Sequence, residues 1–272
     1  MTVSRRAVLR SAAWTVPAIA LATAAPAAVA SQSVPLPACQ TVQHTVPLAS
    51  FATGASGTTV DNKSYLDGRV WSVPPASVAS ATQVQIDVRT VFDENSVATA
   101  DHYKKFTLNQ TGGTAGLQMK NQTALKFSMA VNGNAGSNYS KPVGQTITVT
   151  FSQPVRNLSF VITDIDGNGT NQWDRVFLTE IDGETLTGQP PFTVAYGGNV
   201  SGAGTTSDPW QSAYSASVGD ENANGNVRVT VNRELTSFTF RFRNVAAAAH
   251  TNSLNLTQLS FESLATVECT PV

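Results

Sequence analysis

Three short stretches restrict what this chain can fold into. In "QTITVTF" Ile147, Val149 and Phe151 alternate with polar neighbours, in "NVRVTV" Val227, Val229 and Val231 do so, and in "SFTFRFR" Phe238, Phe240 and Phe242. Successive side chains of an extended strand point to opposite faces, so a period of two buries one face and leaves the other polar. The β-branched and aromatic residues that fill the apolar positions suit a pleated, half-buried surface. The same pattern marks strands over 84–89, 124–131, 158–163, 175–181 and 254–261, and Asp182-Gly183 between "FLTEI" and "ETLT" marks a tight hairpin. Past the N-terminus there is no amphipathic helix pattern; "NVAAAAH" is enough for one short turn.

Short strands punctuated by Gly, Asn, Ser and Thr loops predict an all-β fold, a large two-sheet jelly-roll-like β-sandwich. One internal similarity supports a single unit over two sandwiches divided near 137–142. "ITVTFSQPVRNLSF" (Ile147 to Phe160) aligns without gaps on "VRVTVNRELTSFTF" (Val227 to Phe240). Two strand–turn–strand units of this kind are expected at equivalent places in a two-sheet structure.

The ends of the chain speak to location. "SRRAVLR" places Arg5 and Arg6 before an Ala-rich apolar stretch, and "AVAS" supplies a small-residue cleavage site ending at Ala30. A charged region, a short apolar region and such a site form an export signal rather than a membrane span. The arginine pair resembles the twin-arginine (Tat) motif, which implies passage through the Tat translocase. Residues 1–30 are therefore expected to be removed, leaving 31–272 as one β-sandwich domain, secreted or at the cell surface. The first 30 residues hold three arginines and no acid, so 14 basic residues face 18 acidic ones in the remainder. That mildly acidic, dispersed charge excludes the basic stripe of a nucleic-acid binder, and no later stretch is long and apolar enough to span a bilayer stably. The two cysteines, Cys39 and Cys269, lie near the two ends of the remaining chain. In an oxidising compartment an even pair reads as a disulfide; lipidation of Cys39 in "LPAC" is the weaker alternative.

The most pointed chemical feature is "ITDIDGNGTNQWDRV". Asp164, Asp166 and Asn168 fall at positions 1, 3 and 5 of a calcium loop, with Gly169 at position 6. Calcium takes six to eight oxygen ligands, which alternate residues of a tight loop can aim inward. The expected ligands are Asp164, Asp166, Asn168, the Thr170 carbonyl and Asp174; position 12 is Arg175, a departure from the helix–loop–helix pattern. The alternative is an Asx-rich turn, which uses the same residues.

Trp71, Trp173, Tyr196 and Trp210 lie in or beside loops, where exposed rings would stack on sugars; filling the core is the other use of tryptophan. His44, His102 and His250 show no metal spacing and are expected to pack, and no nucleophile, zinc or phosphate motif is present. The Tat-type signal together with "VTFSQPVRNLSFVITDIDGNGTNQWDRVFL" (Val149 to Leu178) resembles uncharacterised Tat-exported β-sandwich surface and secreted proteins of high-GC Gram-positive bacteria. The resemblance implies location and fold but no catalytic residues. The expected function is a secreted or cell-surface binding or adhesion module, calcium-stabilised and engaging polysaccharide or cell-envelope glycan. A carbohydrate-active enzyme, such as a jelly-roll hydrolase or lyase, and a structural envelope protein are the alternatives.

Overall fold

The structure is a computed structural model that describes residues 41–54, 59–60, 63–74, 83–114, 116–131, 143–167, 173–213, 218–244 and 251–264. Arg5, Arg6, Cys39, Cys269, Asn168, Thr170 and His250 lie outside the described residues. Within them the regular structure is strand, save two single 3-10 turns, Leu48–Ser50 and Ala223–Gly225. The all-β expectation holds.

The strands form two antiparallel layers. One runs, in spatial order, Phe192–Tyr196, Val227–Val231, the second half of Val143–Thr163, Asn252–Leu264 and Lys120–Val131, with Lys105–Asn109 beyond. The other runs Lys63–Trp71, Gln85–Phe92, the first half of Val143–Thr163, Leu235–Asn244, Asp174–Ile181 and Trp210–Ser212. Their apolar faces meet in one core. Phe160 of the first layer stacks on Phe238 of the second at 4.8 Å and 11°. Phe261 meets Phe151 edge-on at 5.2 Å, and Phe127 meets Phe240 at 5.9 Å. Offset and edge-on ring pairs add about 0.5–1.5 kcal/mol each beyond their buried area.

The strand Val143–Thr163 serves both layers. Its first part pairs with Gln85–Phe92 and Leu235–Asn244, its last with Val227–Val231 and Asn252–Leu264. Here the sequence reading needs correction: the first copy of the repeat lies within one continuous 21-residue strand, not a strand–turn–strand unit. Pro154 lies where the strand changes layers; lacking an N–H, proline interrupts a ladder there without orphaning a donor. The two copies are also more than equivalent. They are each other's antiparallel partners, with Ile147 opposite Phe240 and Phe160 opposite Val229.

Asp182 and Gly183 form the expected two-residue hairpin turn, with φ of 54° and 76° and Ile181 opposite Glu184. Two positive φ values at the turn centre match the twist of the flanking strands. The first and last described strands are neighbours: Thr41–Thr45 pairs with Asn252–Leu264, Thr41 facing Leu264. On the outer face of the first layer, Leu108 and Met119 pack over Ala124 and Val161 as a small second core. Gln110 and Asn226 join that covering segment to the 218–226 loop through a buried amide pair, Asn226 Nδ2 donating to Gln110 Oε1 at 2.6 Å.

Candidate metal centre

The acidic loop starts as the chain leaves the shared strand. Asp164 adopts φ 71°, a left-handed conformation that Asp tolerates better than most residues. The Ile165 N–H then donates to the Gly225 carbonyl at 3.0 Å, tying this loop to the 218–226 loop. Glycine suits the close approach, because a Cβ at position 225 would sit a tight 3.0 Å from the Ile165 carbonyl oxygen. Two residues on, the chain pairs with its own return: Gly167 bridges Trp173, and the Asp174 N–H donates to the Asp166 carbonyl at 3.1 Å. The Asp166 N–H donates to Asp174 Oδ2 at 3.3 Å. Asp166 and Asp174 therefore face one another across the base of the loop.

Both are buried, Asp166 to 7% exposure and Asp174 to 0%. Burial pushes the Asp174 carboxyl well above the usual carboxylate range, and the nearby Asp166 and Asp164 push it further. Asp164 is raised too, by burial first and then by Asp220 and Asp166, against a smaller opposing pull from Lys126 and a hydrogen bond from Ser253. Asp220, from the separate 218–226 loop, is also brought to this site. Its Oδ1 accepts from Asn255 Nδ2 at 2.8 Å and its Oδ2 from Lys126 Nζ at 3.4 Å. Lys126 thus offsets two of the carboxylates, Asp220 and Asp164, and is not among the groups acting on Asp174.

Like charges placed directly opposite on paired strands destabilise them, and a buried carboxylate without compensation costs several kcal/mol. Two outcomes relieve that cost, protonation or a bound cation. Among the described residues nothing donates to Asp174 Oδ1, and the buried Asn255 Oδ1 likewise has no partner. Hard, unengaged oxygens are what calcium takes. Among the described residues no three Asp, Glu, His or Cys side chains converge into a ready metal cluster, so a cation here would draw on amide and carbonyl oxygens as well. Asn168 and Thr170 were expected to supply such oxygens.

The aromatic surface suggested by the sequence is not assembled. Trp71 is 47% exposed, but Trp210 is fully buried, its ring edge-on to Phe192 at 5.8 Å. This corrects the expectation for Trp210, which fills the core and presents nothing to a ligand. Gly204 lies against its ring, where an added Cβ would come within 2.2 Å of it. Tyr196 is half-buried and spends its hydroxyl on the Gly202 carbonyl at 2.6 Å, and Trp173 is half-buried at the base of the acidic loop.

The histidines pack, as expected for His44 and His102. His44 is fully buried between Ser263 Oγ at 2.7 Å and Ser72 Oγ at 3.0 Å and stacks on Phe261. Burial lowers its pKa, keeping the ring neutral. The two carboxylates that share a groove on the outer face of the second layer, Asp67 and Asp87, stand opposite Arg89 and Arg69, with Arg69 Nε 2.5 Å from Asp87. No family model, curated protein or solved structure matches the chain.

Proposed function

We propose that this chain is an exported β-sandwich binding module, stabilised by calcium at the acidic loop, that engages polysaccharide outside the plasma membrane. The aspartate cluster, with Asp166 and Asp174 buried, carries the reading. Asp164 and Asp174 are each raised by burial and by neighbouring aspartates, Asp220 and Asp166 for the first and Asp166 and Asp164 for the second, and among the described residues nothing donates to Asp174 Oδ1. Sites of this kind on extracellular modules bind calcium at about 0.1–1 mM, a range that suits a protein outside the cell. Export is supported by Arg5, Arg6 and the small-residue cleavage site, and among the described residues no helix is long and apolar enough to cross a membrane. The pairing of Thr41 with Leu264 favours a Cys39–Cys269 disulfide, since the strands flanking the two cysteines in sequence are neighbours.

The test is calorimetric titration of the mature protein with calcium, followed by a glycan array with and without the ion. The expected result is a heat of binding, a higher melting temperature in calcium and retention of at least one class of polysaccharide. No heat and no melting shift would remove calcium from the reading; a blank array in both conditions would remove polysaccharide.

A further inference from the structure

The outer face of the first layer carries a second feature, a groove of about 590 Å³ beside the small outer core. That volume lies within the span of small-molecule sites, roughly 300–1,000 Å³. Two β-bulges shape it. The register of Lys105–Asn109 against Lys120–Val131 slips between Leu108 and Asn109, and that of Asn252–Leu264 against the shared strand slips between Thr257 and Ser260. At these places Asn121 and Gln258 hold φ values of 54° and 51°, and both line the groove. A bulge bends its strand and re-aims a side chain. A non-glycine residue held left-handed is strained, and such strain gathers at ligand sites. Two in one groove form a local departure from the regular sheet.

The lining chemistry is selective. Gln122, Thr123 and Ser159 join Asn121 and Gln258 in presenting amides and hydroxyls, Arg228 adds a guanidinium, and among the described residues no Asp or Glu lines the groove. Arg228 donates to the Gly116 carbonyl at 2.8 Å and to Gln258 Oε1 at 3.0 Å. Among the described residues it has no carboxylate partner, in contrast to Arg69, Arg156, Arg233 and Arg241, which are ion-paired. The bulged Gln258 thus holds a cation in a groove free of competing acids. We propose that this groove binds an acidic sugar, a hexuronate residue of a polysaccharide: the guanidinium takes its carboxylate, and the amides and hydroxyls take its ring hydroxyls. Arginine matches a carboxylate through paired N–H donors. A polyphosphate or nucleic-acid ligand would need several cations where this groove offers one.

The inference rests on the polysaccharide reading and deepens it, and the experiment separates the two. Calcium-saturated mature protein is titrated with a hexuronic acid trisaccharide, the same trisaccharide with its carboxyls reduced to alcohols, and the free monosaccharide hexuronate. The expected result is binding of the acidic trisaccharide at least tenfold tighter than of the reduced one or the monosaccharide. Arg228→Gln erases the preference for the acidic form, and Arg228→Lys restores part of it. Thr123→Tyr, which fills the groove without touching the cation, weakens both trisaccharides, and thermal melts confirm that each variant is folded. Equal binding of acidic and reduced trisaccharides, untouched by Arg228→Gln, overturns the acidic-sugar inference while leaving the polysaccharide reading in place. Monosaccharide binding as tight as trisaccharide binding also overturns it, marking a small-anion pocket. No binding of any of the three overturns this groove as the site, while the glycan array decides the broader reading separately.

Discussion

His102 offers a sharp test of how this core is built. It is 9% exposed, with its ring 4.3 Å from that of Tyr103, 5.1 Å from Phe92 and 5.8 Å from Phe127. Nδ1 lies 3.1 Å from the Ser128 N–H nitrogen and 3.0 Å from its carbonyl oxygen, while Nε2 has no partner among the described residues. Burial pushes its pKa from 6.5 down to about 4, only partly offset by the Ser128 backbone. The folded ring is therefore neutral over an interval in which the unfolded chain already holds a proton there. Stability from this group is complete above about pH 6.5 and is lost as the pH falls toward 4, because the unfolded state binds more protons in that window. At about 1.4 kcal/mol per pH unit, the interval is worth about 3 kcal/mol. His102→Asn keeps an acceptor for the Ser128 N–H and removes the titrating ring; its cavity penalty does not vary with pH. Urea denaturation of both proteins at pH 7, 6, 5 and 4 should show the wild-type advantage shrinking by about 3 kcal/mol across the series. Parallel curves would mean that the ring is solvated or paired, and the reasoning would fail.

The aspartate cluster predicts the opposite sign. Asp174 is raised, so in chelator its contribution is present at low pH and is lost as the pH rises through its folded value. Asp174→Asn should then melt higher than wild type at pH 7 in chelator and lower than wild type in saturating calcium. The same order in both conditions would rule out a cation at this residue. Trp210→Ala should cost about 3–5 kcal/mol in chemical denaturation, as large-to-small changes in a core do. Lost glycan binding with unchanged stability would return that ring to the surface. Replacing Arg5 and Arg6 by lysine should leave precursor in the cytoplasm on immunoblots of cell fractions, and unaltered secretion would count against the Tat assignment.

The alternation of Ile147, Val149 and Phe151, or of Phe238, Phe240 and Phe242, displayed the core in the sequence because these apolar residues all point to the one buried face between the layers. Asp182-Gly183 was equally readable, since few residue pairs accept two positive φ values. What was hidden depends on partners far along the chain. "SQPV" reads as a turn, yet the strand runs through it because neighbours in two different layers hold it on either side of Pro154. Trp210 sits among loop residues, and its burial depends on Phe192 and Gly204, which local pattern does not reveal. The aspartates of the loop were legible as a motif fragment. Asp220 was not, because Lys126 and Asn255 fix its place and the three come from separate elements. The groove was invisible for the same reason: its bulges are register slips between strands, and a single strand's sequence does not record its register.

The pairing of the first described strand with the last has a consequence for biogenesis. His44 and Ser263 are hydrogen-bonded across 219 positions of chain, and the shared strand finds three of its four partners only in residues after 226. During synthesis the ribosome releases Val143–Thr163 while Gln85–Phe92 is the only one of those partners yet made. The sandwich can close only after the final strand emerges, so folding is a late, largely all-or-none event dominated by long-range contacts, the kind that proceeds slowly and leaves strands exposed meanwhile. A nascent chain of this design exposes unpaired strands until Asn252–Leu264 has emerged.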